Sequence, residues 1–370
     1  MKIIITGGGT GGHIYPGISL ARELQKRDDH NEIIFVGTNQ GMESEIIPRE
    51  GFQFFALKVK GIRRKIGIES LYAILLFFGS LITSFKLIKK VNPDLVIGTG
   101  GYVSGSVALI SSLMGIPTFI HEQNAIPGIT NQLLSLTSRA VFISFPESKN
   151  YFWKKNKTVY LGNPVRDNIW QGDKKELIKK TSLDSGKKTI LIFGGSKGAS
   201  IINQTFLDCL NLIDESVWNR WQILLISGKD DYIPMKEKMD HCKHREIIHV
   251  LSYLYQMEDA YDLADLVVCR AGATTVAEIT AKGLPAIMIP YPYATRDHQF
   301  HNARYLEKKN AAVVILQHDL SEKKLAYELS QLLGNEEQLN ILAQNSRRMG
   351  NRNAAEEIVS SIYYKIKKEK

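Results

Sequence analysis

The sequence predicts an α/β protein built from two doubly wound domains, and three observations carry that prediction. A strand, a glycine-rich loop and a helix start follow one another twice, about half a chain apart: KIIITGGGTGGHIYP from Lys2, and KTILIFGGSKGA over residues 188–199. Between and after them, short and nearly all-apolar runs alternate with helical stretches, as parallel strands buried on both faces should. At 370 residues the chain is also too long for one ordinary core.

In chain order, Lys2 to Ile5 reads as a buried strand and Ile14 onward as a helix. The loop between them, Gly7 to Gly12, lets a backbone approach a ligand with no Cβ in the way. N–H groups at the helix start point into such a loop and favour an anion. The runs NEIIFVG, PDLVIGTGG, IPTFIHEQN and SRAVFIS supply further strands of the first half. YLGNPVR, residues 160–166, falls where one domain hands over to the next. WQILLISG, EIIHVLS, ADLVVCRAG and PAIMIPYP supply the second half, and AAEEIVSSIYYKIKK reads as a last helix with a basic tail. No low-complexity linker appears, so the domains are expected to be coupled around a cleft, with ligands at strand C-terminal ends.

Composition narrows the class. Hydrophobic residues make up 44% and charged residues 23%, which describes a soluble globular protein. The three cysteines, Cys209, Cys242 and Cys269, are odd in number and share no CxxC spacing, so a reducing compartment is expected rather than a disulfide framework. The N-terminus enters a strand at once, without the pattern of a signal peptide. A net charge of +9 fits nucleic acid, an anionic membrane or a phosphorylated substrate equally well.

The loops separate the candidate chemistries. Gly7, Gly9 and Gly12 satisfy GxGxxG, but a dinucleotide fold wants an acid at the end of the second strand, where Gly37 and Thr38 stand. Residues 194–198 fit GxSxG, which makes Ser196 a hydrolase nucleophile if Asp262 or Asp265 and His298 assemble with it. That fold has one sheet, however, and leaves the first loop and its histidine unexplained. No GK[ST] follows either loop, which excludes a Walker A site. The third loop, CRAGATTVAE from Cys269, decides between them. Gly272 and Thr274 suit a helix start that holds phosphate, and Glu278, one turn inside, can accept hydrogen bonds from a ribose diol. Together they read as a nucleoside diphosphate site.

At this point the motifs resemble a known family. GGGTGGH, GGYVSG at 100–105, HEQN at 121–124, GNPVR at 162–166, GGSKGA at 194–199, CRAGATTVAE at 269–278 and DHQFHNA at 297–303 occur in the order found in the MurG family. The resemblance implies a GT-B glycosyltransferase with an inverting mechanism: two Rossmann-like domains facing a central cleft. The domains would span 1–163 and 164–352, with a helix of about 353–370 packing back on the first. It implies UDP-N-acetylglucosamine as donor, held mainly by the second domain. The acceptor would be undecaprenyl-diphosphate-linked N-acetylmuramyl-pentapeptide, bound by the first domain at the cytoplasmic face of the cell membrane. Cell-wall or division proteins would be further partners, and neither cofactor nor metal is implied. By the same match, Ser196 and the backbone of Ala273, Thr274 and Thr275 would hold the diphosphate. Arg166 and the Leu254 backbone would meet uracil, Glu278 the ribose, and Gln299 and Asn124 the sugar hydroxyls. Thr10, Gly11 and Gly12 would border the acceptor diphosphate. Another GT-B transferase acting on a lipid acceptor is the alternative, and the GxSxG hydrolase a more distant one.

The residues' own chemistry agrees with this. Glycosyl transfer needs a stabilised leaving diphosphate and a deprotonated acceptor hydroxyl. The chain has no Asp-x-Asp pair to signal a bridging metal, so helix N-termini and cations must carry that electrostatic load. His13, at the mouth of the first loop, is the natural base, because histidine changes protonation near neutrality. Glu122 is the alternative base, or a partner that orients His121. His241, Cys242, His244 and His249 lie in a polar, lysine-rich stretch without a second ligand pair, which reads as a solvated loop rather than a metal site.

One stretch points to a membrane. Lys58, Lys60, Arg63, Arg64 and Lys65 precede an apolar stripe of Leu71, Ile74, Leu75, Phe78, Leu81, Ile82, Phe85 and Ile88, widened past one face by Tyr72, Leu76 and Phe77. The charge-free stretch from Ser70 to Phe85 is too short to span a bilayer. A helix lying in an anionic membrane surface is expected, with Leu75, Phe78 and Leu81 on its lipid face. No recognition module for nucleic acid accompanies the charges.

Overall fold

Seven parallel strands form the first sheet: β1 (Lys2–Gly7), β2 (Glu32–Thr38), β3 (Gln53–Leu57), β4 (Leu95–Gly100), β5 (Thr118–Glu122), β6 (Ala140–Ile143) and β7 (Thr158–Tyr160). They lie in the order β3-β2-β1-β4-β5-β6-β7. Six more form the second: β8 (Lys188–Phe193), β9 (Trp221–Ile226), β10 (Ile248–Leu251), β11 (Ala264–Cys269), β12 (Ala286–Met288) and β13 (Val313–Val314), in the order β10-β9-β8-β11-β12-β13. The structure is a computed structural model that describes residues 1–57, 68–195 and 198–368, and of residues 68–77 the helical backbone alone. The chain forms two compact units, Met1–Arg166 with Asn351–Lys370, and Asp167–Gly350.

Both sheets follow the doubly wound path, in which the chain moves outward from the first strand and then returns to its other side. The reversal falls between β1 and β4 in one sheet and between β8 and β11 in the other. The glycine-rich sequences singled out above leave the C-terminal ends of those same four strands. The fold therefore gathers its motifs at the two crevices where such sheets bind ligands.

The apolar runs account for the sheets. Along β1, Ile3 and Ile5 enter a core together with Ile14, Ile18 and Leu24 of the helix Gly11–Arg27, while Ile4 enters the core on the opposite face with Val96 and Val107. Alternate residues of a strand point to opposite faces, so a strand covered on both needs every position apolar. The helix Ala354–Lys367 adds Ile358, Val359 and Ile362 to the first of these cores. In the second unit, Ile190, Ile192, Ile223, Leu225, Leu266 and Val268 line one face of the sheet under the helices Ser200–Cys209 and Glu322–Leu333.

Candidate active site

In the first unit the glycine loop is held from within. The Glu43 carboxylate, 1% exposed, accepts hydrogen bonds from Gly9 N at 2.9 Å, Thr38 N at 2.9 Å and Thr38 Oγ1 at 2.8 Å. A Cβ on Gly8 or Gly41 would lie 2.2 or 2.0 Å from that carboxylate and would push it out of these hydrogen bonds. An acid does therefore stand at the end of β2. It is supplied from five residues beyond Thr38, and the chain itself uses it as an anchor for the loop.

His13 sits in the first turn of the helix Gly11–Arg27, whose cap Thr10 makes no side-chain capping bond. Its Nδ1 lies 2.9 Å from Gln123 Oε1 and 3.0 Å from the Thr99 carbonyl. Gly100, at φ +110°, brings β4 this close: a Cβ there would stand 2.7 Å from His13 Nδ1. Behind it, Gln123 Nε2 donates to Thr99 O at 2.7 Å and lies 3.0 Å from His121 Nδ1. His121 Nε2 lies 3.2 Å from the Gly162 carbonyl. Burial pushes His121 down to about 4, the Gly162 hydrogen bond only partly opposing this, so its ring is neutral near pH 7.

Glu122 departs from expectation on both counts. His121 is oriented by Gly162 and Gln123, because neighbouring strand residues face opposite sides and Glu122 points away from it. Both Glu122 oxygens are occupied: Oε1 accepts from Asn124 N at 3.0 Å and Asn124 Nδ2 at 3.3 Å, Oε2 from Gly128 N at 3.1 Å and Asn131 Nδ2 at 2.8 Å. With 2% exposure, this carboxylate organises the turn that carries Asn124 and does not present a base. Arg166 closes the first unit, with its guanidinium 4.9 Å above the ring of Tyr15.

In the second unit, the loop after β8 is a tight turn. Gly198 N donates to Gly195 O at 2.9 Å, Gly195 and Gly198 adopt φ +93° and +75°, and a Cβ on Gly194 would lie 2.3 Å from Ala199 N. Ser196 lies outside the described residues. Of the residues a hydrolase would pair with it, the two aspartates are engaged elsewhere. Asp265 accepts from Thr189 N at 2.8 Å, near the start of β8, roughly 13 Å along the strand from the loop. Asp262 pairs with Lys282, and His298 Nδ1 donates to the Thr295 carbonyl at 2.9 Å.

The third loop opens the helix Ala273–Lys282, capped by the backbone of Gly272 without a side-chain bond. The N–H groups of Ala273, Thr274 and Thr275 lie in the first turn of this helix, where backbone donors point out of the helix start and suit an anion. Glu278, buried in the same helix, accepts from Tyr261 Oη at 2.9 Å. Gln299 Oε1 accepts from Ala271 N at 3.3 Å and Tyr291 N at 3.0 Å, which turns its amide nitrogen away from those groups. Leu254 lies in the segment between β10 and the helix Met257–Leu263. The histidine-rich stretch is less solvated than its polarity predicts: His244 is buried against the Trp218 ring at 5.8 Å, and His249 lies on β10.

Two family profiles match the chain: the glycosyltransferase family 28 N-terminal domain over residues 3–143 and its C-terminal domain over residues 189–359. The UDP-N-acetylglucosamine–N-acetylmuramyl-(pentapeptide) pyrophosphoryl-undecaprenol N-acetylglucosamine transferase of Thermoanaerobacter sp. (strain X514) is 42% identical over 364 residues, covering 98% of this chain and 99% of its own. The enzyme of the same name from Acetivibrio thermocellus is 42% identical over 362 residues, 98% and 97% of the two chains. The crystal structure of Acinetobacter baumannii MurG superposes with a TM-score of 0.78 at 26% identity, covering 98% of this chain and 99% of that one. This chain belongs to the MurG family.

Within the MurG frame, the four glycine-rich motifs fall where the two sheets reverse, and both sheets have the architecture expected of a GT-B glycosyltransferase. Sequence reasoning missed Glu43, Gln123 and Tyr261, which hold the first loop, His13 and Glu278. Gln123 had a visible signal, standing two residues after His121 within HEQN. Glu43 and Tyr261 had none, since Gly9 and Glu278, the groups they hold, lie 34 and 17 residues away.

Proposed function

We propose that this chain transfers N-acetylglucosamine from UDP-N-acetylglucosamine to the undecaprenyl-diphosphate-linked muramyl-pentapeptide, by a single displacement with His13 as general base. The likeness to MurG transferases over 98% of the chain carries the reading, and the two half-sites supply its chemistry. His13 Nε2 takes the proton of the acceptor hydroxyl as that oxygen bonds to the anomeric carbon. The bond from that carbon to the diphosphate breaks, and its electrons leave with UDP. The start of the helix Ala273–Lys282 meets the growing charge with aligned N–H donors, the most effective place for electrostatic stabilisation. Ala273, Thr274 and Thr275 supply those donors, and Ser196 is assigned to the same diphosphate.

Glu278, held by Tyr261, accepts from the ribose hydroxyls, while Arg166 and the Leu254 backbone select uracil. Gln299 and Asn124, each fixed through one end of its amide group or its backbone, present amide donors to the sugar hydroxyls. Thr10, Gly11 and Gly12, at an uncapped helix start, receive the acceptor diphosphate.

The same reading places the first unit on an anionic membrane surface. Among the described residues, no helix is long and apolar enough to cross a membrane. The helix Ile68–Val91 buries Ser80, Ser84, Leu87, Ile88 and Val91, and exposes Phe78, Ile82 and Phe85 beside exposed Lys86, Lys89 and Lys90. An apolar face flanked by cations suits a helix lying in the interface. Ile88 belongs to the core, and Leu81 is half-buried, so Ile82 takes its place on the lipid face. Lys58, Lys60, Arg63, Arg64 and Lys65, and the side chains of Leu71, Ile74 and Leu75, lie outside the described residues.

Thermal unfolding with ligands tests the donor assignment. UDP-N-acetylglucosamine and UDP should raise the melting temperature in a concentration-dependent way, NAD should not, and Glu278→Ala should weaken the shift. An equal shift with NAD would contradict the donor reading.

A further inference from the structure

We propose that Gln123 is a positioning residue that fixes the tautomer of His13, linking it through His121 to the Gly162 carbonyl, so that His13 Nε2 is left bare for the acceptor hydroxyl. The inference rests on His13 as the base. It follows from counting donors and acceptors along the relay, beginning at its far end.

The Gly162 carbonyl, 3.2 Å from His121 Nε2, can only accept, and the Ser144 hydroxyl, 3.5 Å from the same nitrogen, gives its proton to the Glu122 carbonyl at 2.9 Å, so His121 Nε2 carries the proton. A neutral imidazole has one N–H, and His121 Nδ1 is then an acceptor only. Gln123 Nε2 lies 3.0 Å from that nitrogen and 2.7 Å from the Thr99 carbonyl. These two acceptors take the two protons of the amide group, and the His121 carbonyl, 3.3 Å away, is a third acceptor at the same end, which fixes that prong of Gln123 as nitrogen. The other prong, Oε1, faces His13 Nδ1 at 2.9 Å and has no proton to give. The Thr99 carbonyl, 3.0 Å from the same Nδ1, has none either. His13 must donate from Nδ1, and the lone pair of the neutral ring is therefore on Nε2.

Each link depends on a residue type. A histidine at 121 is needed because its second nitrogen must accept while its first donates. Glutamine is needed at 123 because no other side chain of that length donates twice at one end and accepts at the other. Burial holds the arrangement: His121 is fully enclosed and kept neutral, and Gln123 is itself buried. No proton travels along the relay. When Nε2 takes the hydroxyl proton, Gln123 Oε1 and Thr99 O remain as two acceptors on the Nδ1 side of the imidazolium, which stabilises the charged product of that transfer.

The test is a two-bond proton–nitrogen NMR correlation on the full chain labelled with ring-nitrogen-15 histidine, the His13 signals being identified by their loss in His13→Ala. The wild type should show His13 protonated at Nδ1 and bare at Nε2. In Gln123→Met, which keeps length and loses all hydrogen bonds, His13 should shift toward the Nε2-protonated form. The kcat should fall about tenfold or more with the donor KM within about twofold, as expected for an effect confined to the base. A wild-type His13 protonated at Nε2 would overturn the proposal, as would a Gln123→Met enzyme with an unchanged tautomer. A shifted tautomer with unchanged kcat would uphold the relay and retire His13 as the base. The wild-type spectrum decides the tautomer even if the variant fails to fold.

Discussion

At the scale of single residues, the proposed site divides into groups assigned to substrate and groups that hold them. His13 was legible as a candidate base because it stands in a glycine motif at a helix start. Its tautomer was not, because that depends on Thr99, Gln123, His121 and Gly162, which only the fold brings together. His13→Ala should lower kcat by at least about a hundredfold, the scale of a general base, in steady-state turnover assays. UDP affinity should stay near wild type, since the residues assigned to UDP other than Arg166 belong to the second unit. His121 gives a separate expectation for stability. Its ordinary value of 6.5 is lowered to about 4 in the folded chain, so between those values the unfolded chain binds a proton that the folded one refuses. Stability should therefore fall as pH drops from about 6.5 toward 4, by about 3 kcal/mol in all from this group. Denaturant midpoints across that range, compared with those of His121→Asn, measure it: the variant should show the shallower dependence.

At the scale of elements, the strands that the sequence announced are the central ones, buried on both faces, together with the edge strand β10. The edges were harder to read. β3, β7 and β13 are three of the four edge strands, β10 being the one that EIIHVLS announced, and an edge strand needs neither length nor continuous apolarity. β7 has three residues beside a lysine-rich turn and β13 has two, too few for any periodicity to appear. The loops were legible as glycine-rich but not as anchored. Glu43 replaces an incoming ligand's anion at Gly9 N, which accounts for a GxGxxG sequence without the ribose acid of a dinucleotide fold. Glu43→Ala would orphan Gly9 N and Thr38 N and should cost about 2 kcal/mol, read from urea unfolding. Turnover of the acceptor should fall with it while UDP binding survives. Gly100→Ala places a methyl group against His13 at a φ that disfavours side chains, and should cut kcat more than about tenfold. An alanine variant with wild-type kcat would show that the His13 ring needs no fixed seat.

At the scale of the whole molecule, a net charge of +9 and a chain of two doubly wound units admitted several partners, and the motif order together with the family match selects one chemistry. Phe78 and Ile82, 60% and 62% exposed, give the membrane reading its test. Replacing both with serine should reduce co-sedimentation with anionic vesicles and turnover of vesicle-borne acceptor, while sparing a short-chain soluble acceptor and the melting temperature. Each nearby lysine contributes roughly 1 kcal/mol at an anionic surface, so high salt should remove part of the wild type's binding and leave the apolar part. Normal vesicle binding by the double variant would place the lipid face elsewhere. The central claim is the transfer itself, and mass spectrometry of a complete reaction tests it most directly. With UDP-N-acetylglucosamine and the lipid-linked muramyl-pentapeptide, the acceptor should gain one N-acetylhexosamine for each UDP released, and no UDP should appear without the acceptor. A donor sugar that is isomerised or hydrolysed while the acceptor's mass stays unchanged would contradict the account.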